Sequence, residues 1–318
     1  MPKSKMTLGV DLGGTNIQAG LLDAEGKLLA RDSTKTKAEE GAEAVLGRVV
    51  KLCDGIIDKA KVSKGDVAGM GIGAPGALDI ANGVVLEAVN LRWRDFPLAK
   101  KLGELAGVPV LVDNDVNVGA WGEYHEGAGK TGKDMLAVFV GTGIGGGLIL
   151  NGKLFHGHYF TAGEIGHTTV AAHASIGRRT VENLASRNSI VLLLAKLIGA
   201  NHPSWLVEAT GGDLAKVRSK LLSQAVKQDD PLTLEVIGYA AEVVGIAIAN
   251  TVTMLSLPQV VVGGGLTEAL GNMWIKRISD AFDRHVFPPQ LRDCKIVASK
   301  LGDDAGVIGA ALLARELP

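Results

Sequence analysis

Leu8-Gly-Val-Asp-Leu-Gly-Gly-Thr-Asn-Ile-Gln-Ala-Gly20 leads an apolar strand into a carboxylate, then a Gly-Gly-Thr turn, then a second strand. The order suits phosphate chemistry. Gly13 and Gly14 let backbone N–H groups approach an anion, Thr15 adds a hydroxyl donor, and Asp11 can hold a metal ion that bridges phosphate oxygens. Taken alone, the stretch also describes a plain β-hairpin, so the rest of the chain has to decide.

The pattern returns at Leu136-Ala-Val-Phe-Val-Gly-Thr-Gly-Ile-Gly-Gly-Gly-Leu-Ile-Leu-Asn-Gly-Lys-Leu154, where a strand again enters a Gly/Thr loop and a second apolar strand leaves it. Two similar units imply two similar domains. Three strands are expected within the first 34 residues, then a helix over Ala38–Ala60, a buried strand over Val67–Gly73, a helix over Leu98–Ala106 after Pro97 and a strand over Val108–Val112. Helices are expected near Thr180–Ile198, Asp213–Val226 and Leu232–Leu255. A last Gly/Ala helix, Asp303–Arg315, has so little bulk that another backbone can pack close to it. The expected fold is α/β, with mixed sheets flanked by helices. The expected division is residues 1–117 plus 303–318 as the smaller domain and 118–302 as the larger.

Composition narrows the partners. A chain of 318 residues that is 47% hydrophobic is long enough for two cores, and 43 glycines are about twice the usual share of ~7%. The net charge of -1, with Lys and Arg scattered, gives no electrostatic footprint for nucleic acid or an anionic membrane. Cys53 and Cys294 stand alone, so neither a disulfide framework nor a cysteine metal site is expected. No export signal is read at the N-terminus, and a cytoplasmic protein is expected. Val243–Thr267 and Met135–Gly152 carry no charge, yet the first is split by Asn250, Pro258 and Gln259 and the second is rich in glycine. Both read as core rather than as membrane spans.

Some motifs mislead. Gly71-Ile-Gly-Ala-Pro-Gly76 and Gly141-Thr-Gly-Ile-Gly-Gly146 fit the dinucleotide fingerprint, but neither opens an expected helix. Gly147–Lys153 fits a P-loop, but Leu154 replaces the Ser or Thr that would bind Mg²⁺. The His156/His158 and His167/His173 pairs read as solvent-facing or hydrogen-bonded rather than as metal ligands.

Seven segments in order resemble the ROK family of sugar kinases, within the actin-like, ribonuclease-H-like superfamily. They are Val10-Asp-Leu-Gly-Gly-Thr15, Gly73-Ala-Pro-Gly76, Val89-Asn-Leu-Arg-Trp93, Asp113-Asn-Asp-Val-Asn117, Gly141-Thr-Gly-Ile-Gly145, Gly163-Glu-Ile-Gly-His167 and Val262-Gly-Gly-Gly265. The resemblance covers nearly the whole chain. It implies a two-domain actin-like fold with ATP and Mg²⁺ in the cleft, and Asp115 as the base that takes the sugar hydroxyl proton. Helix N-capping also suits an Asp or Asn at that place. The resemblance implies sugar contacts from Gly76, Asn90, Asn114, Asp115, Glu164, His167 and Glu182. It also implies donor contacts from Asp11, Gly13, Gly14, Thr15, Asn16, Gly141, Thr142, Gly143, Gly263, Gly264 and Gly265, with Asp11 on Mg²⁺ directly or through water.

In many members of that family, three cysteines after the His of Gly-Glu-Ile-Gly-His complete a zinc site. Here no cysteine lies between His167 and Glu182, so no structural zinc is expected. The implied reaction is phosphorylation of a hexose, glucose first. N-acylmannosamine, fructose and allose are the alternative acceptors, and polyphosphate the alternative donor. Other readings are a sugar-responsive regulator of the same family and an actin- or chaperone-like ATPase. Expected partners are a hexose and a second copy of the chain, with neither nucleic acid nor membrane.

Overall fold

The computed structural model describes residues 6–130 and 132–317. The chain runs β1 (Met6–Leu12), β2 (Asn16–Leu22), β3 (Leu28–Lys35), α1 (Ala42–Ala60), β4 (Val67–Ala74), β5 (Ala77–Asp79), β6 (Val84–Ala88), β7 (Trp93–Phe96), α2 (Leu98–Ala106), β8 (Val110–Asn114) and α3 (Asp115–Glu126). It continues through β9 (Met135–Val140), β10 (Ile144–Leu150), β11 (Lys153–Leu154), α4 (Val181–Ala185), α5 (Arg187–Gly199), α6 (Trp205–Thr210), α7 (Ser219–Lys227) and α8 (Pro231–Leu255). The last elements are β12 (Gln259–Gly263), α9 (Gly265–Leu270), α10 (Asn272–His285), β13 (Lys295–Ala298) and α11 (Ala305–Leu313). Two compact units result, one of Met1–Lys130, Gly147–Ala162 and Asp303–Pro318, the other of Thr131–Gly146 and Gly163–Gly302.

The first unit is built on a five-stranded sheet in the order β3-β2-β1-β4-β8, antiparallel across β1, β2 and β3 and parallel across β1, β4 and β8. Side chains alternate along each strand, so the two faces differ. Leu8, Val10, Met70 and Ile72 join Val45, Leu46, Val49, Cys53 and Ile56 of α1 in one buried cluster. The alternate positions are glycines, and α11 lies on them. A Cβ on Gly71 would sit 1.8 Å from the carbonyl oxygen of Ala310. The contact between α11 and α3 is as close, for a Cβ on Gly309 would sit 1.6 Å from Val118 O. The final Gly/Ala helix does pack backbone against backbone. A small sheet, β5-β6-β7, completes this unit.

In the second unit β12 runs parallel between β9 and β13. Its core is helical, with Val236, Val244 and Ile248 of α8 buried along with Trp274, Ile278 and Phe282 of α10. By length and composition alone α8 suits a bilayer, but 67% of its most apolar stretch is buried inside the protein. Both cysteines are buried and unpaired.

Some expected elements break where a residue offers a better end. The helix expected over Ala38–Ala60 starts at Ala42, after a 3₁₀ turn at Ala38–Glu40, because Gly41 takes φ 91°. The one expected near Thr180–Ile198 divides at Ser186, whose extended backbone and hydroxyl cap α5. The one expected over Asp213–Val226 divides into a 3₁₀ turn at Leu214–Lys216 and α7. Asp303 precedes α11 in a 3₁₀ turn. The strand expected over Val108–Val112 is Val110–Asn114, so it carries the Asp113-Asn114 pair on its end.

Candidate active site

In the first unit, the β1–β2 turn is closed by Gly13 N donating to Asn16 O at 3.0 Å. Buried Thr36 pins it from behind, its N–H donating to Thr15 O at 2.9 Å and its hydroxyl to Gly13 O at 2.6 Å. Lys35 Nζ donates to Asn16 Oδ1 at 2.8 Å. Neither Thr36 nor Lys35 belongs to the motif, and only the alternation of β3 hints at them. Gly14 and Asn90 are brought together, since a Cβ on Gly14 would meet that of Asn90 at 2.9 Å. Gly76 is exposed in the turn after β4.

The sheet register aligns Asp11 with Gly73, and Gly73 with Asp113. Two carboxylates, on β1 and β8 to either side of β4, therefore stand at one level, at the edge where α/β sheets present ligand groups. Asn114 caps α3, its Oδ1 accepting from Val116 N at 2.9 Å and Asn117 N at 3.3 Å. Capping thus belongs to Asn114, whose amide nitrogen faces away from that duty. Asp115 opens α3 and also accepts from Val116 N, at 2.9 Å. Asp11 is half-buried, and desolvation, then the charges of Asp115 and Asp303, push its carboxyl up to about 7. Asp303 was not foreseen, because it returns from the far end of the sequence.

Asp113 is buried and fully engaged. Its Oδ1 accepts from Asn114 N at 2.7 Å and Asn117 Nδ2 at 2.9 Å, and its Oδ2 meets His156 Nε2 at 2.6 Å. His156, expected only to be solvent-facing or hydrogen-bonded, braces the strand end that carries Asn114 and Asp115.

In the second unit, the β9–β10 loop closes with Gly141 N donating to Gly143 O at 2.9 Å. Glu182 Oε2 accepts from Ile144 N at 2.7 Å and lies 2.4 Å from where a Gly143 side chain would begin. Glu182, expected at the sugar, is thus tied by one oxygen to the back of the Gly/Thr loop. Arg187, which opens α5, donates from its backbone N to Gly141 O at 3.0 Å and from Nη2 to Thr142 Oγ1 at 2.7 Å.

Glu164 precedes and His167 ends a single 3₁₀ turn, Ile165–His167, with Oε2 and Nε2 3.9 Å apart and both side chains exposed. The segment that follows is held by its own backbone. Thr169 bridges Thr180, Val170 N donates to Arg179 O at 3.0 Å, and Arg179 Nε donates to Ala174 O at 2.8 Å. Gly263 ends β12, whereas Gly264 and Gly265 are not a continuing loop. Gly264 caps α9 at φ 86°, with Val140 O 2.6 Å from where its Cβ would lie, and Gly265 is the first residue of that helix. Only glycine fits a positive φ against a neighbouring strand end so closely.

Among the described residues, no group of three or more His, Cys, Asp or Glu side chains is arranged to hold a bare metal ion. The first unit nonetheless brings Asp11, Asp115 and Asp303 into electrostatic range of one another. The second gathers Gly141–Gly143, Glu182 and Arg187 around one loop. The Glu164/His167 turn stands apart as an exposed acceptor and donor pair.

The chain is similar to known proteins over nearly its whole length. The chain is 35% identical over 315 residues to a glucokinase of Halalkalibacterium halodurans, covering 97% of this chain and 94% of that one. It is 30% identical to a xylose repressor of Caldicellulosiruptor bescii, covering 95% of this chain and 76% of the repressor. A crystal structure of a ROK family glucokinase from Streptomyces griseus, in complex with glucose and AMPPNP, superposes with a TM-score of 0.85 at 32% identity, covering 98% of this chain and 99% of the other. The model of the ROK family matches residues 7–317, and the chain belongs to that family.

Proposed function

We propose that this protein is an ATP-dependent hexose kinase that converts glucose to glucose 6-phosphate. The observation that carries the proposal is the strand end at Asp113-Asn114-Asp115. Asn114 takes the capping role there, and Asp113 is locked by three donors, so Asp115 is held by a rigid frame at the start of α3. The near full-length similarity to glucokinases supports the same reading.

On this reading Asp115 accepts the proton of the attacking sugar hydroxyl, which raises the nucleophilicity of that oxygen only when the sugar is in place. Gly76, Asn90, Asn114, Glu164, His167 and Glu182 supply paired donors and acceptors for the remaining hydroxyls, and a partner left unmatched by the wrong epimer costs binding. Gly13, Gly14, Thr15, Asn16, Gly141, Thr142, Gly143, Gly263, Gly264 and Gly265 are the residues proposed for the donor nucleotide. Asp11 fits a divalent cation, since its proton affinity is raised by burial beside Asp115 and Asp303 and a cation would relieve that repulsion. When bound, Mg²⁺ neutralises charge on the donor's phosphate oxygens. We also propose a cytoplasmic, zinc-free homodimer. Exposed Leu192, Tyr239 and Met254, on helices of the second unit, support the pairing.

The test is ADP release over a sugar panel, with ATP against polyphosphate, for the wild type and Asp115→Ala. Expected is glucose-dependent turnover that falls about 10²–10⁴-fold in the variant. Undiminished sugar-dependent turnover in Asp115→Ala removes that residue from its role. ATP turnover independent of every sugar refutes the kinase reading.

A further inference from the structure

Two cationic side chains in electrostatic range of each other, one of them held on the second glycine loop, have no part in the reading above. Arg187 is anchored at the loop twice, by its backbone N–H on Gly141 O and by Nη2 on the Thr142 hydroxyl, so its guanidinium is held at the rim instead of sweeping through solvent. Arg218, just ahead of α7, is likewise fixed, with Nη1 donating to the carbonyls of Ala215 at 2.7 Å and Val217 at 2.9 Å. Desolvation, followed by the charge of Arg218, weakens the hold of Arg187 on its proton. Among the described residues, neither arginine forms an ion pair with an Asp or Glu.

Two guanidinium groups in electrostatic range, one of them partly desolvated, repel each other unless an anion lies between or beside them. Glu182, the carboxylate at this loop, is turned to Ile144 N and pairs with neither arginine. What the pair offers is a set of planar N–H forks, the geometry that matches phosphate oxygens two at a time, next to the exposed Thr142 hydroxyl.

We infer that Arg187, supported by Arg218, binds the phosphate chain of the phosphoryl donor at the Gly141–Gly143 loop. The inference rests on the kinase reading and deepens it: the donor is recognised by its polyanionic chain, and recognition strengthens with the number of phosphates. Arg187 also carries the Thr142 hydroxyl into place, so the loop and the guanidinium act as one surface.

The experiment is calorimetric titration of the full chain with ADP, AMP and inorganic tripolyphosphate, for the wild type, Arg187→Gln, Arg187→Lys and Arg218→Gln. Glucose KM is measured alongside, and thermal melts confirm folding. Expected in Arg187→Gln is an ADP and tripolyphosphate affinity about 10- to 100-fold weaker, with AMP affected less and glucose KM within about 2-fold of wild type. Arg187→Lys, which keeps the charge and loses the fork, falls between. Arg218→Gln shows a smaller loss of the same sign and serves as the comparison should Arg187→Gln not fold. Wild-type ADP affinity in folded Arg187→Gln, beside a wild type that phosphorylates sugar, overturns this inference and leaves the kinase reading standing. A wild type that neither binds ADP nor phosphorylates any sugar overturns both.

Discussion

Asp113 and His156 show what a single side chain contributes here. The imidazole is raised above its ordinary 6.5 chiefly by its hydrogen bond to Asp113, against burial, which lowers it, and with further help from the charges of Asp113 and Glu316. A raised value in the folded state means the pair stabilises fully below the ordinary histidine range and loses that contribution as pH rises through the raised value. Urea unfolding of the wild type and His156→Gln is therefore expected to differ by about 2 kcal/mol at about pH 6 and by less at about pH 9. A difference that widens with pH would show that the charged imidazole is not what stabilises. Asp113-Asn114-Asp115 was legible in the sequence as a motif that suits a base and a helix cap. Its partner was not, because His156 lies 43 residues further on and no spacing rule links a loop histidine to a distant strand. Thr36, which pins the first turn from 23 residues beyond Gly13, escaped for the same reason.

Among the elements, α11 was the most readable and its packing is the most exacting. Its Ala/Gly composition announced a close backbone approach, and Gly309 against Val118 O realises it. Gly309→Ala is expected to destabilise by about 3 kcal/mol through overpacking, measured by chemical denaturation, although alanine is the better helix former. A stabilised variant would mean that α3 and α11 can part without cost. Helix ends were the least readable feature. Ser186 sits inside a run whose apolar spacing continues on both sides, so periodicity carries a helix straight through it, and only the extended backbone there reveals the cap that starts α5. That break decides where Arg187 falls. A continuous helix would have turned its backbone N–H inward, away from the Gly141 carbonyl.

For the whole molecule, what mattered was the doubled glycine pattern, which two turns in two units answer. The register that levels Asp11 with Asp113 was not readable, since parallel pairing joins strands separated by helices of unspecified reach. The first unit also depends on residues far from it in sequence, because α11 is buried from Ala305 to Leu313 apart from Gly306. Removal of residues 303–318 is therefore expected to leave the first unit without cooperative unfolding, by near-ultraviolet circular dichroism during heating, while full-length protein melts sharply. A sharp two-unit transition in the truncated chain would show that the glycine face of the sheet needs no cover.

The same dependence sets an order on birth at the ribosome. The β1-β4-β8 sheet emerges early, yet the helix that shields its glycine-lined side is translated after the second unit, so the nascent sheet waits half-dressed while the intervening unit is made. Chaperones that guard unfinished chains should find their longest-lived target there, and translational pauses after residue 130 should prolong that exposure rather than relieve it.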